Sequence, residues 1–220
     1  MPSLRIVCLS DTHNRHAELV VPDGDVLLHA GDFTGRGTER EVATFGEFLA
    51  RLPHAHKVVV AGNHDFLFES DPARARELLG EVTYLQDEGA TIAGLSVWGS
   101  PWQPWFYDWA FNLPRGPALA ERWSLVPEGT DVLVTHGPPK GILDRTSSGL
   151  EVGCEELLKA RDRIRPRLHL FGHIHEAYGT AAGAILSVNG CNCNLRYRAR
   201  NPPVVVDWGT DGPRVVAGRV

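Results

Sequence analysis

The sequence predicts an α/β fold that begins with a parallel sheet, and three observations support this. The segments 4–10 and 25–31 are apolar almost throughout, which is typical of strands that are buried on both faces. Apolar residues then recur at helical spacing over 38–52, and a β-branched run follows over 57–61. Because a strand, a crossover helix and another strand in succession indicate a parallel pair, the chain is expected to start as an α/β unit.

The helix starts are marked by residues that satisfy free backbone N–H groups. Thr38 and Glu41 have the spacing of a capping box at the start of the first helix. Asp71 and Pro72 indicate a second, short helix that ends at Leu79, because proline is favoured in the first helical turn. Both starts are therefore predicted from local sequence.

The chain changes character after residue 81. Short alternating runs over 82–100 predict antiparallel strands with turns at Gly89 and Gly94. Further strands are predicted over 131–135, 168–171, 184–188, 204–207 and 214–216. These strands are thus expected to complete the second half of the fold.

A late helix is predicted over 151–164. Its apolar residues Leu157 and Leu158 are expected to face inward. The charged side chains of 161–167 are expected to lie in solvent.

Length and charge limit the classes of function. A chain of 220 residues is long enough for one well-filled core, so a single domain over 1–220 is predicted. The net charge of −5 argues against a surface that binds a phosphate backbone, and stable nucleic-acid binding is not expected. No apolar run approaches membrane-spanning length, and the first residues lack a signal-peptide pattern. A cytoplasmic location without membrane association is therefore predicted.

The four cysteines are expected to be reduced thiols. Cys8 lies in a predicted buried strand, and Cys191 and Cys193 are too close in sequence for an easy mutual disulfide. A zinc site at Cys191 and Cys193 is an alternative, but no second cysteine pair supplies the remaining ligands.

Polar side chains with metal-binding or acid-base chemistry follow five predicted strands, at the point where each strand ends. They are Asp11, His13, Asp32, Asn63, His64, Asp65, His136, His173 and His175. Because parallel strands end at a common edge of a sheet, these side chains are expected to converge there. Turn formation would explain 11–13 or 62–65 alone, but it does not explain five such endings. His29 lies inside a strand, which favours a hydrogen-bonded core histidine.

The residue types favour transition metal ions. Carboxylate, amide and imidazole ligands suit Mn, Fe, Zn, Co or Ni, whereas the wealth of histidine argues against Ca or Mg alone. The number of candidate ligands predicts two divalent ions rather than one.

The sequence resembles the calcineurin-like metallophosphoesterase superfamily. The pattern D-x-H, G-D, G-N-H-[DE], H and G-H-x-H is matched in order at 11–13, 31–32, 62–65, 136 and 172–175. The segments that resemble the metallophosphoesterase-domain-containing branch, which is related to class III cyclic-nucleotide phosphodiesterases, are 31–34, 99–104, 109–116 and 201–203. Gly35 departs from the G-D-x-x-D of many members, which weakens a comparison with protein Ser/Thr phosphatases.

The resemblance implies a four-layer sandwich of two mixed β-sheets flanked by α-helices. It also implies two metal positions, with Mn²⁺ as the favoured ion. One position would be held by Asp11, His13, Asp32 and His175, and the other by the bridging Asp32 with Asn63, His136 and His173. His64 would be the unliganded catalytic imidazole, and Asp65 is expected to hold that ring and favour its protonated form.

The expected net charge of the metal site limits the class of substrate. Two divalent ions contribute four positive charges, and Asp11, Asp32 and a bridging hydroxide remove three. The net charge of the site is therefore about +1. This charge matches a phosphodiester, so hydrolysis of small phosphodiesters with His64 as the acid is predicted. Cyclic nucleotides are suggested by the resemblance. The alternatives are a phosphomonoesterase or nuclease and a non-catalytic nucleotide- or protein-binding scaffold.

Aromatic residues crowd the segment 98–111, where Pro101 and Pro104 interrupt any regular element. Two interpretations stay open. The segment is either a wall against which a substrate ring stacks, or a hydrophobic cluster or homodimer contact. The sequence assigns no role to Arg36, Arg115 and Arg145.

Overall fold

The computed structural model describes residues 4–218, and over this range the chain forms two six-stranded mixed sheets flanked by helices. The predicted four-layer α/β sandwich is therefore confirmed. The prediction about a signal peptide includes residues 1–3, which lie outside the described residues. Within 4–218, no helix is long and apolar enough to cross a membrane.

The elements are numbered along the chain. The strands are β1 (Leu4–Leu9), β2 (Val26–His29), β3 (His56–Val59), β4 (Thr83–Tyr84), β5 (Glu88–Ile92), β6 (Leu95–Ser100), β7 (Gln103–Pro104), β8 (Asn112–Leu113), β9 (Val132–Thr135), β10 (Leu168–Phe171), β11 (Gly179–Ala181), β12 (Leu186–Asn189), β13 (Val204–Gly209) and β14 (Gly212–Ala217). The helices are α1 (Glu39–Ala50), α2 (Leu67–Ser70), α3 (Pro72–Leu79), α4 (Pro117–Ser124) and α5 (Glu155–Ile164).

Parallel strands form the centre of each sheet. The first sheet has the order β14-β13-β1-β2-β3-β4, and β1 to β4 are parallel neighbours. The second has the order β11-β12-β10-β9-β6-β5, and β12, β10, β9 and β6 are parallel neighbours. The carboxyl ends of parallel strands lie at one edge of a sheet, which is where loops carry ligand-binding residues.

Alternation along β1 divides its side chains between two cores. Ile6 packs between the sheets, in the same cluster as Leu170 of the second sheet. Val7 faces the other way and packs in a cluster with Phe45 of α1. Because successive side chains of a strand point to opposite faces, a strand that is covered on both faces must be apolar throughout. This explains the continuous apolar runs in the sequence.

The two predicted helix starts are confirmed. The Thr38 hydroxyl accepts a hydrogen bond from the backbone N–H of Glu41, and the Glu41 carboxylate accepts one from the backbone N–H of Thr38. At α3, the Asp71 carboxylate accepts from the backbone N–H of Arg74, and Pro72 occupies the first turn. Each carboxylate also lies at the positive end of its helix dipole.

The region 82–100 agrees with the prediction only in part. β5 and β6 form an antiparallel hairpin whose turn residues Ala93 and Gly94 have φ values of 50° and 85°, as a tight two-residue turn requires. The predicted turn at Gly89 is wrong, since Gly89 lies inside β5 opposite Trp98. A β-carbon at this position would come within 3.2 Å of the Trp98 ring, so the glycine makes room for an indole.

Helix α5 begins later than predicted. Its first residue is Glu155, and the Cys154 sulfur accepts the capping hydrogen bond from the backbone N–H of Leu157. Glu151, the predicted start, instead forms an isolated β-bridge with Arg145. The sequence pattern did not distinguish the residues of this bridge from the first residues of the helix.

Arg161 is a second exception in α5. The prediction that its charge is solvated is wrong, since only 9% of the residue is exposed. It follows Leu157 by four positions, which places it on the inward face of the helix. Its Nη2 donates to the Ser187 hydroxyl at 3.0 Å.

Candidate metal centre

The predicted ligands lie together where the parallel strands of both sheets end. Asp11 follows β1, Asp32 follows β2, His136 follows β9 and His173 follows β10. The groups whose ligand atoms all lie within 4.8 Å of one another are Asp11, His13 and His175, then His13, Asp32 and His64, then Asp32, His136 and His173. Side chains from five loops are thus gathered into one site.

The first cluster consists of Asp11, His13 and His175. His175 Nε2 lies 3.2 Å from both Asp11 Oδ1 and His13 Nε2. His175 Nδ1 donates to the backbone carbonyl of Asn194 at 3.0 Å, so the neutral ring presents a lone pair at Nε2. Two acceptor atoms that face each other this closely need a cation or a proton between them.

The second cluster, which consists of Asp32, Asn63, His136 and His173, is built in the same way. His136 Nε2 lies 2.8 Å from Asn63 Oδ1 and 3.4 Å from Asp32 Oδ2. His136 Nδ1 donates to the backbone carbonyl of Ala30 at 2.9 Å, which in the neutral ring leaves the lone pair on Nε2. The donor chemistry of both clusters therefore fits divalent cations.

Asp32 lies between the two clusters. Its Oδ2 is 3.8 Å from His13 Nε2 and 3.4 Å from His136 Nε2. Its Oδ1 accepts from the backbone N–H of His64 at 2.7 Å, which fixes the carboxylate plane. One oxygen of Asp32 therefore faces a ring nitrogen of each cluster.

The electrostatics of the site are dominated by burial and by its two carboxylates. Burial lowers the pKa of His13 to about 4 and the pKa of His173 to about 3. Burial also lowers the pKa of His136, but the charges of Asp32 and Asp11 and the hydrogen bonds with Asp32 and the Ala30 carbonyl together outweigh burial and raise this pKa to about 9. Burial raises the pKa of Asp11, but the hydrogen bond with His175 and the charges of the neighbouring imidazoles together outweigh burial and hold this pKa well below its usual range. Ionised carboxylates among imidazoles are a donor set that divalent transition ions prefer.

Glycines precede several ligands because the site has no space for a side chain there. A β-carbon at Gly172 would collide with the Asp11 carboxylate and the Ser10 hydroxyl, and one at Gly62 would collide with Asp32. Asp11 and Asp32 themselves have φ values of 51° and 55°, which are unusual for residues other than glycine. Such backbone strain is found at functional sites, where the surrounding structure maintains it.

Asp65 has a different role from the one predicted. Its carboxylate does not contact the His64 ring. It accepts hydrogen bonds from the backbone N–H groups of Asp32, Gly62 and Thr34 at 2.8, 2.8 and 3.0 Å, and from the Thr34 hydroxyl at 2.7 Å. Burial and the nearby Asp32 charge raise the pKa of Asp65 to about 7, although the hydrogen bonds from Thr34 and Gly62 lower it. Asp65 thus ties the loop after β2 to the loop after β3.

His64 is held by a backbone carbonyl instead. Its Nδ1 donates to the carbonyl of Gly35 at 2.9 Å, and its Nε2 lies 4.0 Å from Asp32 Oδ2. The Trp109 ring packs against it at a centroid distance of 4.3 Å. Gly35 is the position that departs from the G-D-x-x-D pattern, and it orients His64 through its main chain.

The interpretation of His29 as a core residue is confirmed. Its Nδ1 accepts from the backbone N–H of Gly31 at 3.2 Å, so its Nε2 donates to the Thr12 hydroxyl at 3.1 Å. His29 is 1% exposed and belongs to none of the metal-ligand groups among the described residues.

The four cysteines are free thiols, as predicted. No metal-ligand group within 4–218 contains a cysteine. The Cys191 thiol lies 3.1 Å from Asp11 Oδ2, and the Cys193 thiol lies 3.5 Å from the backbone carbonyl of Thr12. The two thiols therefore have separate partners, and the zinc alternative is wrong.

A cavity of about 430 Å³ opens above the clusters. Aromatic side chains, here called the aromatic rim, form part of its wall and are Trp105, Phe106, Tyr107, Trp109 and Tyr197. Tyr197 was not predicted, yet its ring packs edge-on against His13 at a centroid distance of 4.6 Å. It belongs to an irregular segment between β12 and β13, where no periodic signal marks it.

Comparison with known proteins gives the family. The family model for calcineurin-like phosphoesterases matches residues 4–177. The chain belongs to the calcineurin-like phosphoesterase family. The matched range contains every candidate ligand of the two clusters, whereas Cys191 and Tyr197 lie beyond it.

Relatives of this calcineurin-like phosphoesterase support the same assignment. Metallophosphoesterase domain-containing protein 1 of Homo sapiens is 47% identical, over 94% of this chain and 71% of that protein. A UPF0046 protein of Caenorhabditis elegans is 41% identical, over 93% of this chain and 75% of that protein. The similarity therefore extends over nearly the whole chain.

Solved structures share the fold at low sequence identity. TT1561 of Thermus thermophilus has a TM-score of 0.63 at 15% identity, covering 97% of this chain and 98% of that one. The phosphopantetheinyl hydrolase of Mycobacterium tuberculosis has a TM-score of 0.54 at 18% identity, covering 84% and 87%. At these identities the likeness concerns the fold alone.

Proposed function

We propose that this calcineurin-like phosphoesterase is a binuclear metal-dependent phosphodiesterase that hydrolyses small phosphodiesters. The observation that carries the proposal is the position of Asp32 Oδ2, which lies within 3.8 Å of a ring nitrogen from each of the two clusters. A carboxylate oxygen shared in this way is the arrangement that two-metal hydrolases use.

Each cluster supplies one metal position in this proposal. The first position is held by Asp11, His13, Asp32 and His175, and the second by Asp32, Asn63, His136 and His173. Mn²⁺ is the favoured ion, and Fe, Zn, Co or Ni suit the same ligands. When bound, such ions lower the pKa of water to about 7 and polarise phosphoryl oxygens.

His64 is the proton donor in this proposal. The hydrogen bond from Nδ1 to the Gly35 carbonyl fixes the ring, so Nε2 is the atom that faces the cavity. A proton on Nε2 can pass to the leaving oxygen of the ester or stabilise its charge. Because Trp109 packs against the ring and Asp32 accepts from the His64 backbone, the imidazole has little freedom to turn.

The charges around the cavity favour a diester over a monoester. Among the described residues that line the cavity, Arg115 is the one with an Arg or Lys side chain. Its guanidinium already donates hydrogen bonds to the Glu155 carboxylate at 2.6 Å and to the carbonyls of Val152 and Gly153. Arg145 pairs with Glu151 instead. No lining arginine is therefore free to neutralise the second negative charge of a monoester.

The aromatic rim suggests what else the substrate carries. Trp105, Phe106 and Tyr107 are 61, 45 and 71% exposed, so their ring faces are open to a ligand. Such rings can stack on many different planar groups, because every planar group has a face to offer. Cyclic nucleotides are therefore the first candidates within the proposed substrate class. A homodimer contact at 98–111, a single domain over 1–220 and a cytoplasmic location stay predictions.

Elemental analysis and a hydrolysis panel test the proposal together. We expect purified protein reconstituted with Mn²⁺ to contain two ions per chain. We further expect it to hydrolyse a bis-aryl phosphate and either 2′,3′- or 3′,5′-cyclic nucleotides faster than an aryl monophosphate. Asp32→Asn is the inactive reference, and Asp25→Asn is the matched control. Asp25 comes just before β2, at the opposite end from Asp32, and its carboxylate accepts a hydrogen bond from the backbone N–H of Arg5.

Three outcomes contradict different parts of the proposal. Activity confined to monoesters overturns the substrate class. A single bound ion at saturation overturns the binuclear centre. Two bound ions without turnover on any ester would favour the non-catalytic nucleotide-binding alternative.

A further inference from the structure

The two oxygens of Asp11 have different surroundings. Oδ2 accepts from the Ser10 hydroxyl at 2.6 Å and from the Cys191 thiol at 3.1 Å. The backbone N–H of His173 is shared between both oxygens, at 3.0 and 3.1 Å. Oδ1 alone faces the imidazole of His175, at 3.2 Å from its Nε2. The carboxylate is thus bound by protein donors on one side and directed at the metal position on the other.

This arrangement is completely buried. Ser10, Asp11 and Cys191 each have 0% exposure, so no bulk water competes for Oδ2. An ionised carboxylate only accepts, and the Cys191 thiol is therefore the donor in their contact. A hydrogen bond to an ionised group in such surroundings is stronger than one between neutral groups.

The fold positions the thiol through main-chain pairing. Ser10 and Cys191 form a parallel β-bridge. This pairing brings the Cys191 thiol to the Asp11 carboxylate, although 180 residues separate these two residues in the sequence. The backbone N–H of Asn192 donates to the Ser10 carbonyl at 2.8 Å, and that of Cys193 donates to the Asp11 carbonyl at 3.1 Å. The segment after β12 therefore runs beside the loop after β1 and carries Cys191 to Oδ2.

We propose that Cys191 and Ser10 are positioning residues that fix Asp11 as a one-oxygen ligand of the first cluster. The inference rests on the proposed function in so far as that cluster binds a metal ion. Because two side-chain donors occupy Oδ2, the carboxylate presents only Oδ1, together with the nitrogens of His13 and His175. Ligation through one carboxylate oxygen and two imidazoles suits small transition ions better than Ca²⁺, which often takes both oxygens of a carboxylate.

Metal titration of cysteine variants tests this inference. Calorimetric titration with Mn²⁺, and the visible absorption spectrum after Co²⁺ loading, report on binding and ligand geometry without use of turnover. For Cys191→Ala we expect one of the two binding events to weaken roughly 10- to 100-fold, the usual effect of losing an outer partner of a metal ligand. Cys191→Ser retains a donor and is expected to stay within a few-fold of the original affinity. Its Co²⁺ spectrum is expected to match that of the unaltered chain.

Cys193→Ala is the matched control. Cys193 has the same 0% exposure, but its thiol contacts the Thr12 carbonyl rather than the Asp11 side chain. We expect this variant to bind both ions normally. If Cys193→Ala and Cys191→Ala weaken binding equally, packing explains both effects and the inference fails. It also fails if Cys191→Ala binds both ions with unchanged affinity.

Asp11→Asn separates this inference from the proposed function. If Asp11→Asn loses one ion while Cys191→Ala loses none, only the positioning role is wrong. If Asp11→Asn also retains both ions, the assignment of the first cluster as a metal position is wrong. Should Cys191→Ala not yield folded protein by circular dichroism, Ser10→Ala removes the 2.6 Å hydrogen bond and provides the same titration. Unchanged Mn²⁺ affinity in folded Ser10→Ala would then overturn the inference.

Discussion

The bottom and the wall of the cavity are built in contrasting ways. The ligand clusters lie at and behind the bottom of the cavity, which Asp32, His173 and His175 line. The carboxylates of the clusters, Asp11 and Asp32, are 0 and 2% exposed. The wall includes the aromatic rim, where Tyr107 is 71% and Tyr197 is 42% exposed. The ligands are held by neighbouring backbone groups and side chains, whereas the rings of Phe106, Tyr107 and Trp109 pack against one another. The Tyr197 ring packs against His13.

This contrast separates chemistry from selectivity. Atoms that act on the phosphate must keep their positions within a few tenths of an ångström, which requires buried hydrogen bonds behind each ligand. A surface that receives the rest of a substrate can be broad, since every planar group offers a face for stacking. Changes at the bottom of the cavity are therefore expected to abolish catalysis, and changes at the rim to alter substrate affinity.

The largest effect is expected for Asp32→Ala. Because Oδ2 of Asp32 faces both clusters, its loss should release ions from both positions and reduce turnover to background. Elemental analysis after gel filtration measures the ions, and Asp25→Asn is the control. Retention of two ions per chain would show that Asp32 does not bridge them.

His64→Ala is expected to leave the metal content unchanged and lower kcat by roughly 10²–10⁴, the range for a lost acid-base group. The reason is that His64 is assigned to proton donation rather than metal ligation. Steady-state kinetics on a bis-aryl phosphate, with elemental analysis, measures both quantities. His56→Ala is the matched control, since His56 is an exposed histidine at the other end of the same strand. If His64→Ala loses an ion, the imidazole is a ligand and the assignment is wrong.

Asp65→Ala is expected to act on stability. It leaves three backbone N–H groups without their acceptor and removes one of the two acceptors of the Thr34 hydroxyl, so the free energy of unfolding should fall by about 3 kcal/mol or more. Denaturation in urea measures this quantity. Asp131→Ala is the control, because Asp131 accepts one such bond, from the backbone of Ser96, and should cost about 1 kcal/mol. Equal losses in the two variants would mean that Asp65 does not tie the two loops together.

The smallest effect is expected at the rim. Tyr107→Leu removes one stacking surface of about 1 kcal/mol or more, so KM for an aryl diester should rise about fivefold while kcat stays unchanged. The inhibition constant of inorganic phosphate is the internal control, since phosphate has no ring to stack. A parallel rise in both constants would place Tyr107 in phosphate binding, and no rise would exclude it from substrate contact.

Much of the site could be predicted because its ligands are specified locally. Each candidate ligand lies within four residues of the end of a buried strand, and glycines such as Gly62 and Gly172 mark where the backbone passes too close for a side chain. These signals depend on strand endings and on the absence of a β-carbon, both of which are visible in a sequence. Helix starts at Thr38 and Asp71 were predictable for the same reason.

The errors arose where partners are distant in sequence. Asp65 lies beside His64 in the chain, yet its carboxylate binds the main chain of Asp32 and Thr34, which lie 33 and 31 residues earlier. Arg161 was predicted to be solvated because its charge suggests a surface, but the inward face of α5 places it against Ser187. Neither contact leaves a local pattern.

The sequence by itself determined the family pattern, the strands that end in ligands, and the donor types that suit divalent transition ions. Only the tertiary structure decided how these donors are held: Gly35 orients His64, Asp65 joins two loops, and Cys191 and Tyr197 reach the site from a segment beyond β12. The physical reason is that strand endings are set by neighbours in the chain, whereas hydrogen-bond partners are set by which loops the two sheets bring together.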